Sequence, residues 1–439
     1  MGVMRRLGLH TPELRAWAMY DWANSGFATT IMAAVLPVYY AKVAAADLPE
    51  HVRTAYWGYT AAAGLAIVAL LSPILGTIAD TIGCKKKLLW WFMLTGAAAS
   101  AGLWLVEDGD WKLASVLYLI GNIGFAGSCI FYDSLLPFLA DQKDVDRVSS
   151  AGYAIGYLGG GLLLAVNLAW MLKPELFGFP DKGIAVRASF VSVAVWWILF
   201  TIPLMRRVPE PPVVSFDGEQ GRSPIAVGFE RLYSTFKQVR RYRQVAIFLV
   251  AFWFFTDAIG TIIKMATIYG AEIGIGESHL IGALLFVQLL GIPCTFAFGM
   301  LADRIGTKAS IMISLVVYTG ICVLGYFMTS PLHFWLLAVL VALVQGASQA
   351  LSRSLYATMI PLSKASEFFG FISVSSRFAG IAGPVLFGVV AQLAGGSRIS
   401  ILLLISFFVV GMWMLAKVDV AEGRRVAAEA ERELVAARV

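Results

Sequence analysis

Gly76-Thr77-Ile78-Ala79-Asp80-Thr81-Ile82-Gly83-Cys84-Lys85 returns half a chain later as Gly299-Met300-Leu301-Ala302-Asp303-Arg304-Ile305-Gly306-Thr307-Lys308. Both copies read G-x-x-A-D-x-I-G-x-K, and each falls between two long apolar runs. Self-similarity at a fixed, long spacing is the mark of a chain built from repeated units. Three further landmarks keep the same order in both halves. Asp21 aligns with Asp257, Tyr132 to Pro137 with Tyr356 to Pro361, and Gly152-Tyr153 with Gly370-Phe371. The repeat therefore predicts two homologous halves.

Composition says where those halves sit. Of 439 residues, 59% are hydrophobic and 14% are charged, with a mean hydropathy of +0.76. A soluble domain carries about 25% charged residues, so this chain has too few to cover a wet surface. A membrane-crossing helix needs about 20 apolar residues, and the sequence offers about twelve such runs, the first at 14–42 and the last at 398–417. Backbone groups in lipid must find partners within their own segment, so the runs are predicted to be helices. The expected fold is all-α, with twelve transmembrane helices in two six-helix pseudo-symmetric bundles. The expected boundaries are 1–206 and 243–417 for the bundles, with a linker at 207–242 and a tail at 418–439. The linker opens on Val208-Pro209-Glu210-Pro211-Pro212. Ile225, Phe229, Leu232, Tyr233 and Phe236 then recur at helical spacing among basic residues, predicting an amphipathic helix. In the tail, Arg425 and Glu429 at i, i+4 predict a short helix.

The formal charge of +6 is informative by location. Lys and Arg concentrate on the side that holds Arg5, Arg6, Lys85 to Lys87, Arg206, Arg207 and Arg240 to Arg243, so that side, with both termini, is expected to be cytoplasmic. The basic balance reports topology, and no nucleic-acid partner is expected. The four cysteines lack metal-ligand spacing, the four histidines lie near interfaces without a paired nucleophile, and no nucleotide-binding G-x-x-x-x-G-K-[ST] occurs. No cofactor, metal or enzymatic activity is expected. The first apolar run carries Asp21 and Asn24, which a removable signal peptide would avoid.

The repeated loop has a mechanical reading. Gly76 and Gly299 sit where one helix approaches another, and Gly83 and Gly306 permit a sharp turn between spans. Asp80 and Asp303 can accept N–H bonds from the start of a neighbouring helix and favour its positive end. Such contacts are expected to hold a cytoplasmic gate shut and to break when the halves rock, which makes the repeated loop the expected gating motif. Lys85 and Lys308 can pair with nearby acids or anchor the loop. Polar groups within the spans carry the second signal, since a charge at a helix centre costs roughly 2.5–3.5 kcal/mol on insertion scales. Asp21 and Asn24 share a face of the first span, and Asn122 and Asp133 a face of the fourth. Asp257 and Lys264 share a face of the seventh, close enough to pair. Gln345, Gln349 and Arg353 form a stripe on the tenth, and Arg377 lies in the eleventh. The first half thus offers two negative charges and the second a net two positive ones. Acids of one half can pair with arginines of the other to close a gate, or a zwitterion can bridge the two walls.

The duplicated loop resembles the signature of the major facilitator superfamily over essentially the whole chain. Asp21-Trp22-Ala23-Asn24-Ser25, Gly152 to Gly160, Ser348 to Ser354 and Glu367-Phe368-Phe369-Gly370 resemble one branch of it, the autophagy-related vacuolar effluxers and their bacterial relatives. Asp133 and Lys264 depart from that pattern, standing where an Asn and a small or polar residue are expected. The resemblance implies a twelve-helix transporter whose spans one, four, seven and ten line a central cavity. It also implies amino-acid efflux, the role of the eukaryotic members. The expectation is a secondary transporter for a small organic solute, an amino acid or other zwitterion, working by alternating access with protons as the coupling ion. The alternative is an exporter or flippase of an amphipathic drug-like or lysolipid substrate. The expected partners are that solute and membrane lipids, and the expected state is a monomer in a bacterial inner membrane.

Overall fold

The computed structural model describes residues 3–48, 82–141, 143–212, 241–372 and 397–436, with scattered positions in 56–80, at 230 and 233, and in 380–390. Among them no strand occurs, and the long elements are helices. In the first half these are α1 (Pro12–Ala44), α2 (Lys85–Gly102), α3 (Trp111–Leu139), α4 (Val145–Leu172) and α5 (Lys182–Arg207). The second half contributes α6 (Arg243–Glu272), α7 (Glu277–Ile305), α8 (Thr307–Tyr326), α9 (Pro331–Thr358) and α10 (Ser397–Ala416), followed by the tail helix α11 (Val420–Ala436). Ten helices among the described residues are long and apolar enough to cross a membrane. The runs expected at 55–79 and 365–393 are described only in part, and their described residues from 56 to 80 and from 365 to 372 are helical. The linker's expected amphipathic helix lies outside the described residues except at Glu230 and Tyr233.

Local chemistry sets the helix starts. Thr11 Oγ1 accepts the Leu14 N–H at 3.2 Å, with Pro12 at the first position of α1. Asp181 Oδ1 caps Ile184 at the start of α5 at 2.9 Å, and Ser330 precedes Pro331 at the start of α9. Each cap satisfies an N–H that the helix cannot. The motif turns are as tight as the glycines allow. Gly83 and Gly306 adopt φ of 68° and 90°, a region that L side chains avoid, and α8 begins on the residue after Gly306. Regular geometry is interrupted twice inside α1, where Phe27–Ala34 and Tyr40–Ala44 wind as π-helix.

Each half packs around buried aromatics. Trp17, Tyr20, Phe27, Phe131 and Trp197 fill the first, and Phe248, Phe255, Tyr318 and Tyr356 the second. Large apolar side chains such as Trp91, Val195, Leu289 and Trp413 face outward, as expected where the surrounding medium is hydrocarbon. Within the halves, α1 packs on α4 and α5, α2 on α3, α6 on α10, and α7 and α8 on α9. Across the halves, α4 packs against α7 and α9. The two copies of the loop motif, the starts of α1, α4 and α6, and the tail helix gather at one end of the bundle, called here the basic end.

Candidate functional site

Arg353, on α9 of the second half, enters the first half. It is 6% exposed and stays within the bundle instead of reaching along α9 to the surface. Its Nη1 donates to Asp133 Oδ1 of α3 at 3.0 Å, and Nη1 and Nη2 reach Asp21 Oδ2 of α1 at 3.4 and 3.3 Å. The remaining donors are also used. Nε donates to Ser149 Oγ and Nη2 to the Ser149 carbonyl, both at 2.9 Å. The Ser149 hydroxyl in turn donates to the Ala350 carbonyl at 2.8 Å, back on α9. A planar five-donor fork suits this division of contacts between two carboxylates and a backbone oxygen, which a lysine could not match.

Aromatic rings enclose the guanidinium. Its centre lies 4.4 Å from the Tyr153 ring, 4.9 Å from Trp17 and 5.7 Å from Tyr132, within the range of cation–π attraction. Tyr132 donates its hydroxyl to Asp21 Oδ2 at 2.8 Å, and its ring stacks on Trp17 at 4.5 Å. Trp17 Nε1 donates to the Tyr132 carbonyl at 3.1 Å. Gly152 makes room for the ensemble, since a Cβ there would lie 2.4 Å from Asp21 Oδ2 and 3.0 Å from Arg353 Nη2. Two carboxylates and one guanidinium leave a formal charge of −1 at the boundary between the halves.

The cluster borders a cavity of about 320 Å³ between the halves. Asp133, Cys129, Ile130 and Tyr153 line it from the first half. From the second come Phe252, Phe255, Thr256, Ile259, Ile263, Ser348, Gln349 and Arg353, with Phe369 and Ile372. Tyr157 OH reaches Gln349 Oε1 at 3.5 Å. The lining thus combines opposite charges, hydroxyls and an amide with apolar side chains.

Four of the residues singled out in the sequence meet here, namely Asp21, Asp133, Gln349 and Arg353. The others lie elsewhere. Asn24 is buried within α1. Asn122 is buried on α3, with its amide near Gly64. Gln345 lines a separate, apolar cavity inside the second half, with Ile262, Met265 and Tyr269. Asp257 is fully buried, and its Oδ2 accepts the Gly383 N–H at 2.8 Å. The side chain of Lys264 and the whole of Arg377 lie outside the described residues. Ser149, Tyr153 and Gly152 were not identified from the sequence as site residues. Gly152-Tyr153 at the start of the fifth span is legible as a landmark of the repeat and as part of the family resemblance, but not as a site.

The motif copies stand at the basic end and act differently. Asp80 Oδ1 pairs with Lys85 Nζ at 2.7 Å, while Oδ2 accepts the Glu367 N–H at 2.9 Å, at the start of the helix over 365–372. This is the expected carboxylate at a helix N-terminus, where the helix dipole favours negative charge. Gly76 lies so close to that helix that a Cβ would fall 2.1 Å from the Ser366 carbonyl oxygen. Lys86 N–H donates to Glu210 Oε2 at 3.1 Å. Burial pushes the Glu210 carboxyl up from its ordinary value, against the opposing pull of the Lys86 and Lys85 backbone N–H groups and side-chain charges. In the second copy, the carboxylate of Asp303 meets the Arg147 side chain; it was expected to take backbone N–H groups. Lys308 Nζ binds the Ala416 and Val418 carbonyls at 2.8 and 2.7 Å, capping the end of α10. Gly299 packs on Ser150, where a Cβ would lie 2.7 Å from Oγ. Asp146 of α4 accepts hydrogen bonds from Thr307 Oγ1, at 2.6 Å, and from Ser354 Oγ. Both copies therefore tie one half to the other at the basic end.

The chain is similar to known proteins over most of its length. Residues 50–428 match the family described as "Vacuole effluxer Atg22 like". The chain is 39% identical over 410 residues to the Bacillus subtilis (strain 168) protein named "Uncharacterized MFS-type transporter YxiO", covering 92% of this chain and 94% of that one. It is 25% identical over 399 residues to "Autophagy-related protein 22" of Saccharomyces cerevisiae (strain ATCC 204508 / S288c), covering 80% and 74%. Among solved structures, the fold resembles the major facilitator superfamily transporter FucP in the outward conformation, with a TM-score of 0.67, 13% identity and coverage of 94% and 99%. It also resembles the proton:xylose symporter XylE, with a TM-score of 0.65, 13% identity and coverage of 94% and 95%. A repeat that ties two helical bundles together at one end, and a family match over most of the chain, lead to one conclusion: the protein belongs to the bacterial branch of the Atg22-like family of major facilitator superfamily transporters.

Proposed function

We propose that this transporter carries a small organic zwitterion, an amino acid first among them, by alternating access, with the Asp21–Asp133–Arg353 cluster as a charged lock between its halves. The observation that carries the reading is a single guanidinium of the second half shared by two carboxylates of the first, beside a cavity between them. A buried charge stripped of its partner costs about 3–5 kcal/mol, so the halves separate here only if something replaces the pair. A zwitterion offers both replacements, a carboxylate for Arg353 and an ammonium for Asp133. Its binding energy is then realised in the conformational change, which is how a ligand shifts a two-state equilibrium. The rings of Phe252, Phe255 and Phe369 in the cavity lining support the second reading, an amphipathic substrate.

Protons are the proposed coupling ion, because neutralising Asp21 or Asp133 weakens the hold on Arg353. Asp257, fully buried against Gly383, is the other coupling candidate. The basic end is read as cytoplasmic, with both termini there, in a bacterial inner membrane, and the transporter as a monomer. Purified protein in liposomes, screened against a broad amino-acid panel with and without a pH gradient, tests the reading. Saturable flux is expected, and Asp21→Asn or Asp133→Asn should remove its dependence on the gradient. Absence of any saturable amino-acid flux or binding, with flux of an amphipathic dye retained, would transfer the reading to the second class.

A further inference from the structure

The tail forms the helix that Arg425 and Glu429 predict, α11. In the structure it is built into the basic end. Ala427 and Ala430 are buried. Gly423 lies against Met359, where a Cβ would be 3.0 Å from Sδ. Arg424 Nε donates to Thr358 Oγ1 at 3.3 Å, at the end of α9, and Arg241 Nη1 pairs with Glu433 at 2.7 Å, just before α6. The root of the helix is held by Lys308 of the second motif copy.

One contact has a specific target. Glu431 Oε2 accepts both the N–H and the hydroxyl of Ser363, each at 2.9 Å. Ser363 belongs to the short turn Leu362–Lys364 that joins α9 to the helix over 365–372. That helix presents the Glu367 N–H to Asp80, and its Ser366 carbonyl is the surface on which Gly76 rests. Ser366 Oγ also meets Ser134 Oγ of α3 at 2.9 Å. Glu431 thus grips the chain four residues before the N–H that the first motif copy caps. A carboxylate that takes two donors from one residue fixes its position and orientation, and charge-assisted bonds of this kind are about twice as strong as neutral ones.

We propose that Glu431 is a positioning residue of the gate. It holds the turn at Ser363 so that the following helix start meets Asp80, and through it the tail helix favours the state in which the basic end is closed. The inference rests on the reading of that end as a gate. It also gives the second motif copy a further task. Both copies join the halves directly, the first through Asp80 and the second through Asp303 and Thr307. The second also anchors the tail, through Lys308, and the tail braces the partner of the first.

The test measures opening directly in the full chain. Spin labels at Lys87→Cys and Lys417→Cys, both exposed on opposite halves, are introduced with the four native cysteines replaced, and distances are measured in nanodiscs. Glu431→Ala should shift the distribution toward longer separations, Glu433→Ala should do so to a lesser extent, and Asp80→Ala should shift it at least as far as Glu431→Ala. Adding Glu431→Ala to Asp80→Ala should give no further shift, because both act through the same contact. If Glu431→Ala and Glu433→Ala lower the melting temperature but leave the distances unchanged, while Asp80→Ala opens the end, the tail is only a structural support and the proposal fails. If Asp80→Ala also leaves the distances unchanged, the gate reading itself falls. Should Glu431→Ala fail to fold, Ser363→Ala together with Glu433→Ala carries the same comparison.

Discussion

Arg353 shows how one residue links burial to function. Its fork is fully occupied, by two carboxylates, a hydroxyl and a carbonyl, inside a cage of three rings. Replacing it with Met leaves the buried Asp21 and the half-buried Asp133 without their counter-charge, a change of the class that costs up to about 3–5 kcal/mol for a fully buried charge. Arg353→Met is expected to lower the melting temperature and abolish flux. Arg353→Lys keeps the charge but loses the shared geometry, so the fold should survive while flux falls by at least about tenfold, equivalent to ~1.4 kcal/mol. Thermal unfolding and liposome flux, measured on the same preparations, separate the two effects. Gly152 tests the same site sterically. A methyl group 2.4 Å from Asp21 Oδ2 forces that carboxylate away from Arg353, so Gly152→Ala should reduce flux as Asp21→Asn does. Native-like flux in Gly152→Ala would show that the contact is dispensable.

At the scale of elements, the repeated loop succeeds because its glycines allow what side chains would block. Gly83 and Gly306 were legible as turn formers from their spacing alone, and both take positive φ. The role of Gly76 needed its neighbour. A Cβ placed 2.1 Å from the Ser366 carbonyl oxygen meets backbone, which cannot swing aside like a side chain. Gly76→Ala is therefore expected to hold the basic end open while leaving each half folded. A thiol-reactive probe directed at Cys129, which lines the cavity, should label that variant faster than the parent when Cys84, Cys294 and Cys322 are replaced. Unchanged labelling would remove Gly76 from the closure. The difference between Asp80 and Asp303 was not legible. Both occupy the same motif position, but Asp80 meets a helix start and Asp303 meets Arg147. The partner of each lies on the other half, beyond the reach of local spacing.

Across the whole molecule, Asp146 on α4 meets Thr307 and Ser354 of the second half. A cysteine pair made by Asp146→Cys and Ser354→Cys, with the native cysteines replaced, should tie the halves together under oxidant. Flux is expected to stop on oxidation and to recover on reduction, the behaviour of a machine that must part at this end to work. Flux that continues through the cross-linked protein would exclude parting of α4 from α9 as a step in transport. The sequence by itself determined the medium, the helical fold, the two-part architecture and the turns of the repeated loop, because hydropathy, span length and glycine spacing are local properties. It also flagged the costly charges within spans, Asp21, Asp133 and Arg353 among them. Only the tertiary structure decided which of those charges meet. Asp21 and Asp133 converge on Arg353, Asp257 turns to Gly383, and Glu431 of the tail grips Ser363. Such pairings depend on how the faces of separate helices are rotated and stacked, and no single segment of the sequence carries that information.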